Sequence, residues 1–586
     1  MTKIITSLMA LLLMAYFAEA ETVVDVTEHG ALPNDGGAKG AARAGDDTQA
    51  FKDAIAAAKA VAGPVKLFVP PGVYDFYPNN ATQRVCFTSN STEETSDGVK
   101  TIAIDLAGLD DLTIEGRGAT FMMRGKMTML VAEHCKNLSI KGLTFDFKRP
   151  TMSELTVTEK GEGYWIGKVH PDSDYTITDN KIRWDGEGWN IYHNLVQPYD
   201  HATKTTWRSR DPTSGATSIQ DLGDRRVRFN VAGNALRTAV VGRTYQFRNG
   251  KRNAAGMWFN RCKNVLVQDV KVRAMHGFGI LGQYTENMTF ERLVVAPDPK
   301  SGRTNASSAD VTHFSGCKGL IRIVDSVLSA AHDDALNVHG THLRVIGKPT
   351  SNQVRVRFMH RQTRGFQAFF PGDDVEFTGL KTLLPLGSAK VKAVVVESDS
   401  EQLLTLDKNI PASVVIGKDA LENVTWTPSL ELINCEIKQI PTRGILLTTP
   451  RRILIQGNRF YNTRMPAILI EKDADGWFES GRIANLTVKD NLFHECGGRE
   501  VVLVNPKNST HDGAVHKNML FEGNTFVMRN GKAFNFKSTD NVTIRNNQFR
   551  MLNGSTPTEE SLIQQKNASN IKFIGNTIAP APTPSP

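Results

Sequence analysis

Asn518-Met-Leu-Phe-Glu-Gly-Asn524-Thr-Phe526, Asn541-Val-Thr-Ile-Arg-Asn-Asn547-Gln-Phe549 and Asn570-Ile-Lys-Phe-Ile-Gly-Asn576-Thr-Ile578 are three writings of one pattern, and that pattern decides the fold. Each opens on Asn, alternates apolar with polar residues, and closes on Asn, one residue and a large apolar side chain. A fourth copy runs from Asn485 through Asn491 to Phe493, and a weaker one starts at Arg452 with Asn458 and Phe460. Similar starts without the full signature occur at Asp111, Asn137, Asn264, Asn287, Gly319 and Ser429. Starts lie 23 residues apart at 264 to 287, 429 to 452 and 518 to 541. Alternation with a period of two is that of a strand, and so short a unit cannot bury its apolar face alone, so the units must stack. The expected fold is all-β, a parallel β-helix whose coils lie about 4.8 Å apart, with residues at equal offsets in columns. Asn491, Asn524, Asn547 and Asn576 should form one such column. Cys135, Cys262 and Cys317 should share another as buried thiols, with a Cys135/Cys262 disulfide as the alternative.

Two intervals are too long for one coil: 137 to 264 and 319 to 429. Strand-like alternation within them places a small antiparallel β module near 151–250 and another near 346–427. The first holds Trp165, Trp184, Trp189 and Trp207, core residues by default and sugar-stacking residues as the alternative. Coils then occupy 21–150 with the N-terminal cap, 251–345 with the candidate site, and 428–578. The open N-terminal end of a solenoid needs a cover, and Phe51, Ile55, Ala58 and Ala62 recur at helical spacing, with Asp47 placed to cap and Gly63-Pro64 to stop the helix. Residues 579–586 are Ala/Pro-rich and read as a disordered tail.

Composition narrows the function classes. Of 586 residues, 40% are hydrophobic and 22% charged, which excludes a disordered chain and a multi-span membrane protein. The net charge, 69 minus 61 or +8, is spread without a basic run and does not call for nucleic acid. Lys3, the apolar stretch 4–17 and Ala18-Glu19-Ala20 read as a secretory signal, so residues 1–20 are expected to be removed and the chain to work outside the cytoplasm, in the periplasm or secreted. Six cysteines are too few for a disulfide scaffold.

A β-helix builds its sites on outer faces, where neighbouring coils align polar residues. Asp310-Val-Thr-His313-Phe-Ser-Gly316 and Asp334-Ala-Leu-Asn337-Val-His339-Gly340 align on their glycines, which sets Asp310 beside Asp334 and His313 beside Asn337, with Asp333 adjacent. Stacked carboxylates repel, so at least one should hold its proton, as the acid of a glycosidase must. The competing reading is a structural or calcium-binding cluster. His276, His313, His332, His339 and His342 match no zinc spacing and read as hydrogen-bonded or solvated side chains, with no metal expected. Arg443, Glu471, Asp473 and Trp477 would bind sugar hydroxyls and stack a ring if their strands continue the same face; an ordinary loop salt bridge is the equal alternative.

The segments Ser308-Ala-Asp310-Val-Thr-His313-Phe314, Asp333-Asp334-Ala-Leu-Asn-Val-His339-Gly340, Pro441-Thr-Arg443-Gly-Ile-Leu-Leu447 and Asp475-Gly-Trp477-Phe-Glu479-Ser-Gly481 resemble glycoside hydrolase family 110, the α-1,3-galactosidases. The resemblance runs through most of the chain after residue 20. It implies a right-handed parallel β-helix with barrel-like inserts, and exo-hydrolysis of terminal α-1,3-linked galactose with inversion and without a cofactor. It implies Asp310, Asp333 and Asp334 as catalytic carboxylates and a glycan with terminal α-galactose as substrate. His313, Asn337, His339, Arg443, Glu471 and Trp477, which share or extend that face, are the candidate substrate-binding residues. The three-Asp arrangement is also similar to that of polygalacturonases, and by that analogy Asp333 is the acid while Asp310 and Asp334 hold the water. The alternatives are a polygalacturonase-like hydrolase, for which the downstream Arg-Ile-Lys signature is missing, a non-catalytic carbohydrate-binding β-helix, and a lyase. The projecting modules offer a surface for a homodimer.

Overall fold

The computed structural model describes residues 21–34, 45–91, 98–231, 233–529 and 531–580. The segment read as a signal, 1–20, lies outside the described residues, as do residues 581–586 of the expected tail.

The repeat folds as its spacing predicts. Thirteen strands, from Thr22–Asp25 to Ser569–Ile574, stack in one sheet, and twelve, from Val73–Phe76 to Thr577–Pro580, stack in a second. A third parallel stack includes Met257–Asn260, Ile280–Gln283, Thr312–Ser315, Leu336–Thr350 and Ile445–Leu447. The inward-facing apolar residues of all three stacks form one continuous core running the length of the solenoid, while Trp258 and Leu281 of the third stack face outward into a second, smaller cluster.

Two ladders explain the recurrent Asn. Asn458, Asn491, Asn524 and Asn547 each use backbone N and Nδ2 to donate to Oδ1 of the Asn one coil on, ending at Asn576, at 2.8 to 3.0 Å. Each corner must be buried and must also satisfy its amides, and a side chain that both donates and accepts does this in series. Beside this ladder, the rings of Phe460, Phe493, Phe526 and Phe549 stack at 4.9 to 5.0 Å. The Asn residues that open the copies form the second, exposed ladder, as in Asn541 Nδ2 to Asn518 Oδ1 (2.8 Å) and Asn287 Nδ2 to Asn264 Oδ1 (3.1 Å). Asn518 and Asn541 stand at φ of 57°, a left-handed conformation that Asn tolerates better than other side-chain-bearing residues.

All six cysteines are buried free thiols. Cys135, Cys262 and Cys317 do share a column, with Thr285 between the last two, and the thiols of Cys135 and Cys262 donate to the carbonyls of Leu106 and Ala132.

The cap helix spans Thr48–Lys59 and ends before Ala62, with Phe51 packed edge-on against Tyr74, Phe76 and Phe121. The expected capping by Asp47 is corrected: its carboxylate accepts from the backbone of Leu32 and Asp75, tying the cap to its neighbours. At the other end, Ala579 and Pro580 of the expected tail belong to the last strand.

The coil register survives both long intervals. Lys136 pairs directly with Lys263, and Leu320 with Ser429. The first excursion holds a seven-stranded antiparallel sheet and a three-stranded one, around a core in which Trp165 stacks on Phe229 at 4.1 Å and Trp184 is fully buried. In the second, the far half of Leu336–Thr350 pairs with Gln353–Arg357, and the pairing continues through Glu401–Leu406, Pro385–Val396, Asp374–Thr378 and Ala420–Asn423 back to the first strand. That cycle closes a six-stranded antiparallel barrel, which leaves no edge strand open.

Candidate active site

Strand register alone brings the acidic cluster together. His313 pairs with Asn337 and Asn337 with Leu446, so three outward side chains from successive coils make a floor, while Phe314, Val338 and Leu447 alternate into the core. The turns preceding these strands carry Asp310, Asp333 and Asp334, whose carboxylate oxygens lie within 4.8 Å of one another. Above the floor is a cavity of about 300 Å³. It is walled by Asn90, by Arg208 and Arg252 at the first module, and by the loop from Glu471 to Glu479.

Asp310 and Asp333 line this cavity; Asp334 does not. Asp334 is fully buried and receives four donors, from Thr442 Oγ1 (2.7 Å), Arg443 N (3.0 Å), Arg443 Nε (2.9 Å) and Arg443 Nη2 (2.5 Å). Of the three acids expected together, Asp310 and Asp333 face the cavity, while Asp334 lies behind them and anchors Arg443.

Burial pushes the Asp310 carboxyl up to about 7, with the charge of Asp333 adding to the effect. Asp334 is likewise pushed up to about 7 by burial, against the pull of Arg443. Burial would push Asp333 up as well, but Arg252, Arg443 and Arg208 outweigh it and hold the carboxyl down at about 2. Arg252 Nη2 lies 2.5 Å from Asp333 Oδ2, Arg208 Nη2 lies 3.3 Å from it, and Arg443 Nη2 lies 3.7 Å from Oδ1. These directions differ from the order drawn by analogy, in which Asp333 is the acid and Asp310 and Asp334 hold the water. The three carboxylates are spaced as a cation would require, but guanidinium groups already supply the positive charge among them.

The remaining candidates divide. Arg443, Glu471, Asp473 and Trp477 do line the same cavity, although Glu471 also pairs with Lys507 at 2.6 Å. Trp477 is 45% exposed, and one face of its indole packs on His360 of the barrel, with ring centroids 4.3 Å apart. The loop that carries it is wound around Asp473, whose carboxylate accepts from the backbone N of Asp475, Gly476 and Trp477. His313 and Asn337 form the floor, but His339 is corrected: it does not line the cavity. Strand Glu479–Ser480 pairs with Gly340–Thr341 and covers it, leaving His339 Nε2 2.7 Å from His313 Nε2. The other histidines are neither solvated nor metal-spaced. His276 bonds Thr151 and Asn253, His332 bonds Arg248 and Gln246, and His342 bonds the Asp473 carbonyl.

Sequence reasoning missed Arg208, Arg252 and Asn90. All three come from excursions off the coils, where no repeat offset points at the cavity. Asn90 Nδ2 donates to Glu479 Oε1 at 2.9 Å, and Asn337 Nδ2 donates to the same oxygen at 3.3 Å, closing the wall.

Comparison with known proteins agrees over most of the chain. A family model described as GLAA-B beta-barrel domain I matches residues 153–244, one described as GLAA-B beta-barrel domain II matches 353–420, and one described as right handed beta helix region matches 421–581. The chain is 37% identical over 520 residues to a Bacteroides thetaiotaomicron protein named alpha-1,3-galactosidase A, covering 88% of this chain and 91% of that one. It is 39% identical over 491 residues to the Bacteroides fragilis protein of the same name, covering 82% and 81%. It is 40% identical over 477 residues to that of Akkermansia muciniphila, covering 81% and 79%.

Proposed function

The chain belongs to the α-1,3-galactosidase family and is a glycoside hydrolase, and from that premise we propose that it removes single terminal α-1,3-linked galactose residues from blood group B type or linear Galα1-3Gal glycans, with inversion. The observation that carries this reading is the placement of Asp310 and Asp333 together in one small cavity, with Asp333 held against three guanidinium groups and Asp310 buried against the His313 ring. A glycosidase needs one carboxyl that holds a proton for the leaving oxygen and one that stays ionised. In this reading Asp310 is the acid, Asp333 the base, and Asp334 holds Arg443 in place. A cavity of about 300 Å³ sits at the small end of ligand sites, which suits one sugar ring entering from a chain end. Trp477 offers its open face to that ring.

Inversion is what the family resemblance implies, and in it Asp333, ionised beside Arg252, Arg208 and Arg443, takes the proton of the attacking water. The oxygen spacing within 4.8 Å is nearer the roughly 5–5.5 Å usual between retaining carboxyls than the roughly 6.5–9.5 Å between inverting ones. The stereochemistry is therefore the sharpest test. Proton NMR during early turnover of Galα1-3Gal should show β-galactose first, and α-galactose first would make Asp333 a nucleophile. No release of galactose from either the branched or the linear substrate would leave a non-catalytic binding protein.

Export belongs to the same proposal: protein recovered from outside the cytoplasm should begin near Glu21. So does a homodimer through the projecting modules, to be read from the mass in solution.

A further inference from the structure

His313 and His339 are the one pair of imidazoles among the described residues that bond each other, and they do so directly behind Asp310. Asp310 Oδ2 lies 2.8 Å from His313 Nδ1, His313 Nε2 lies 2.7 Å from His339 Nε2, and His339 Nδ1 lies 2.6 Å from the carbonyl oxygen of Gly340. Each of these three contacts needs one hydrogen. Two neutral rings bring two, so the third is an additional proton. The carbonyl can only accept, so His339 donates to it through Nδ1 and, as a neutral ring, accepts at Nε2. His313 must then donate through Nε2 and accept at Nδ1, which leaves the third hydrogen on Asp310 Oδ2. If the proton left this relay, one of the three contacts would set two acceptors face to face; moved onto His313 instead, it would make a buried imidazolium beside an ionised Asp310, which burial disfavours.

We propose that the His313–His339 pair is a positioning device that retains the acid proton on Asp310, which rests on the reading of Asp310 as the acid. Charged groups face the chain from every side: Asp333 and Arg252 near His313, and Glu479, whose Oε1 lies 3.7 Å from His339 Nε2. Phe278 packs over the His313 ring at 4.5 Å and keeps solvent off it. Burial holds His313 well below its ordinary value, so the neutral ring is its resting form.

The test reads the imidazoles of the whole protein by nitrogen-15 NMR, without substrate. In the fully active parent, His313 should carry its hydrogen on Nε2 and His339 its hydrogen on Nδ1. In Asp310→Asn, whose amide can donate in place of the acid, that pattern should persist to high pH, whereas in the parent it should change as activity falls. A hydrogen on His313 Nδ1 throughout would overturn the proposal. His339→Phe should move the alkaline limb of kcat down by about one pH unit, and His339→Gln, which can again accept and donate, should restore it. An unmoved limb in a folded His339→Phe would also overturn it. Failure to hydrolyse galactosides would sink the function and leave the spectrum interpretable, so the two outcomes are separable.

Discussion

Lys472 Nζ lies 2.9 Å from Glu422 Oε1, and both side chains are almost fully shielded from water. Lys472 precedes the loop that presents Asp473, Trp477 and Glu479 to the cavity, and Glu422 sits on a strand of the second barrel. His342 stands 3.7 Å from the same carboxylate, and Arg344 reaches from the barrel to the carbonyl of Ala474 and to Asp475. The barrel thus fixes one wall of the cavity through a buried ion pair. Removing one member of such a pair strands the other: Lys472→Met should cost about 3–5 kcal/mol. Lys472→Met combined with Glu422→Leu should cost less than the two single changes summed, as thermal unfolding would show.

The proposed division of labour between Asp310 and Asp333 is separable by leaving group. Asp310→Asn should slow cleavage of Galα1-3Gal by roughly 10²–10⁴, but far less for an aryl galactoside whose phenolate departs without a proton. Asp333→Asn should slow both alike. Equal losses on both substrates in Asp310→Asn would give the acid role to another group.

Folding stability should carry the same signature. The carboxyl of Asp310 rises from 3.8 to about 7 on folding, so its contribution is complete below 3.8 and is lost as pH climbs through 7. Asp333, lowered to about 2, works in the opposite sense: its contribution is present above 3.8 and is lost as pH falls through 2. In denaturant titrations Asp310→Asn should flatten the decline between pH 4 and 7, and Asp333→Asn the decline at the acid end.

Trp477 should matter for binding more than for chemistry. Trp477→Ala should raise KM by roughly 2–12-fold, corresponding to about 0.5–1.5 kcal/mol for an aromatic contact, with a smaller change in kcat. A pure loss of kcat at constant KM would place the sugar elsewhere.

The solenoid is legible in the sequence because its constraint is local and repeated: a corner that must pair its amides selects Asn, and a strand buried on one face alternates. The cluster is legible for the same reason, since Gly316 and Gly340 give the offset that sets His313 beside Asn337. What alternation cannot tell is which outward residues remain open once something else covers them. His339 has the same parity as Asn337, yet a strand more than a hundred residues later lies over it. Two of the arginines that face Asp333 reach it from residues 208 and 252, in stretches whose course depends on how the module packs and not on any offset.

Ser153 pairs with Phe247 across the first module, and Arg344 with Ala420 across the second. Each insert therefore enters and leaves through adjacent strands, so the ladder beneath it spans only a short gap however long the insert is. The acids and the floor therefore stay in register whatever the outline of an excursion, provided it still delivers Arg208 and Arg252 to Asp333 and Glu422 to Lys472.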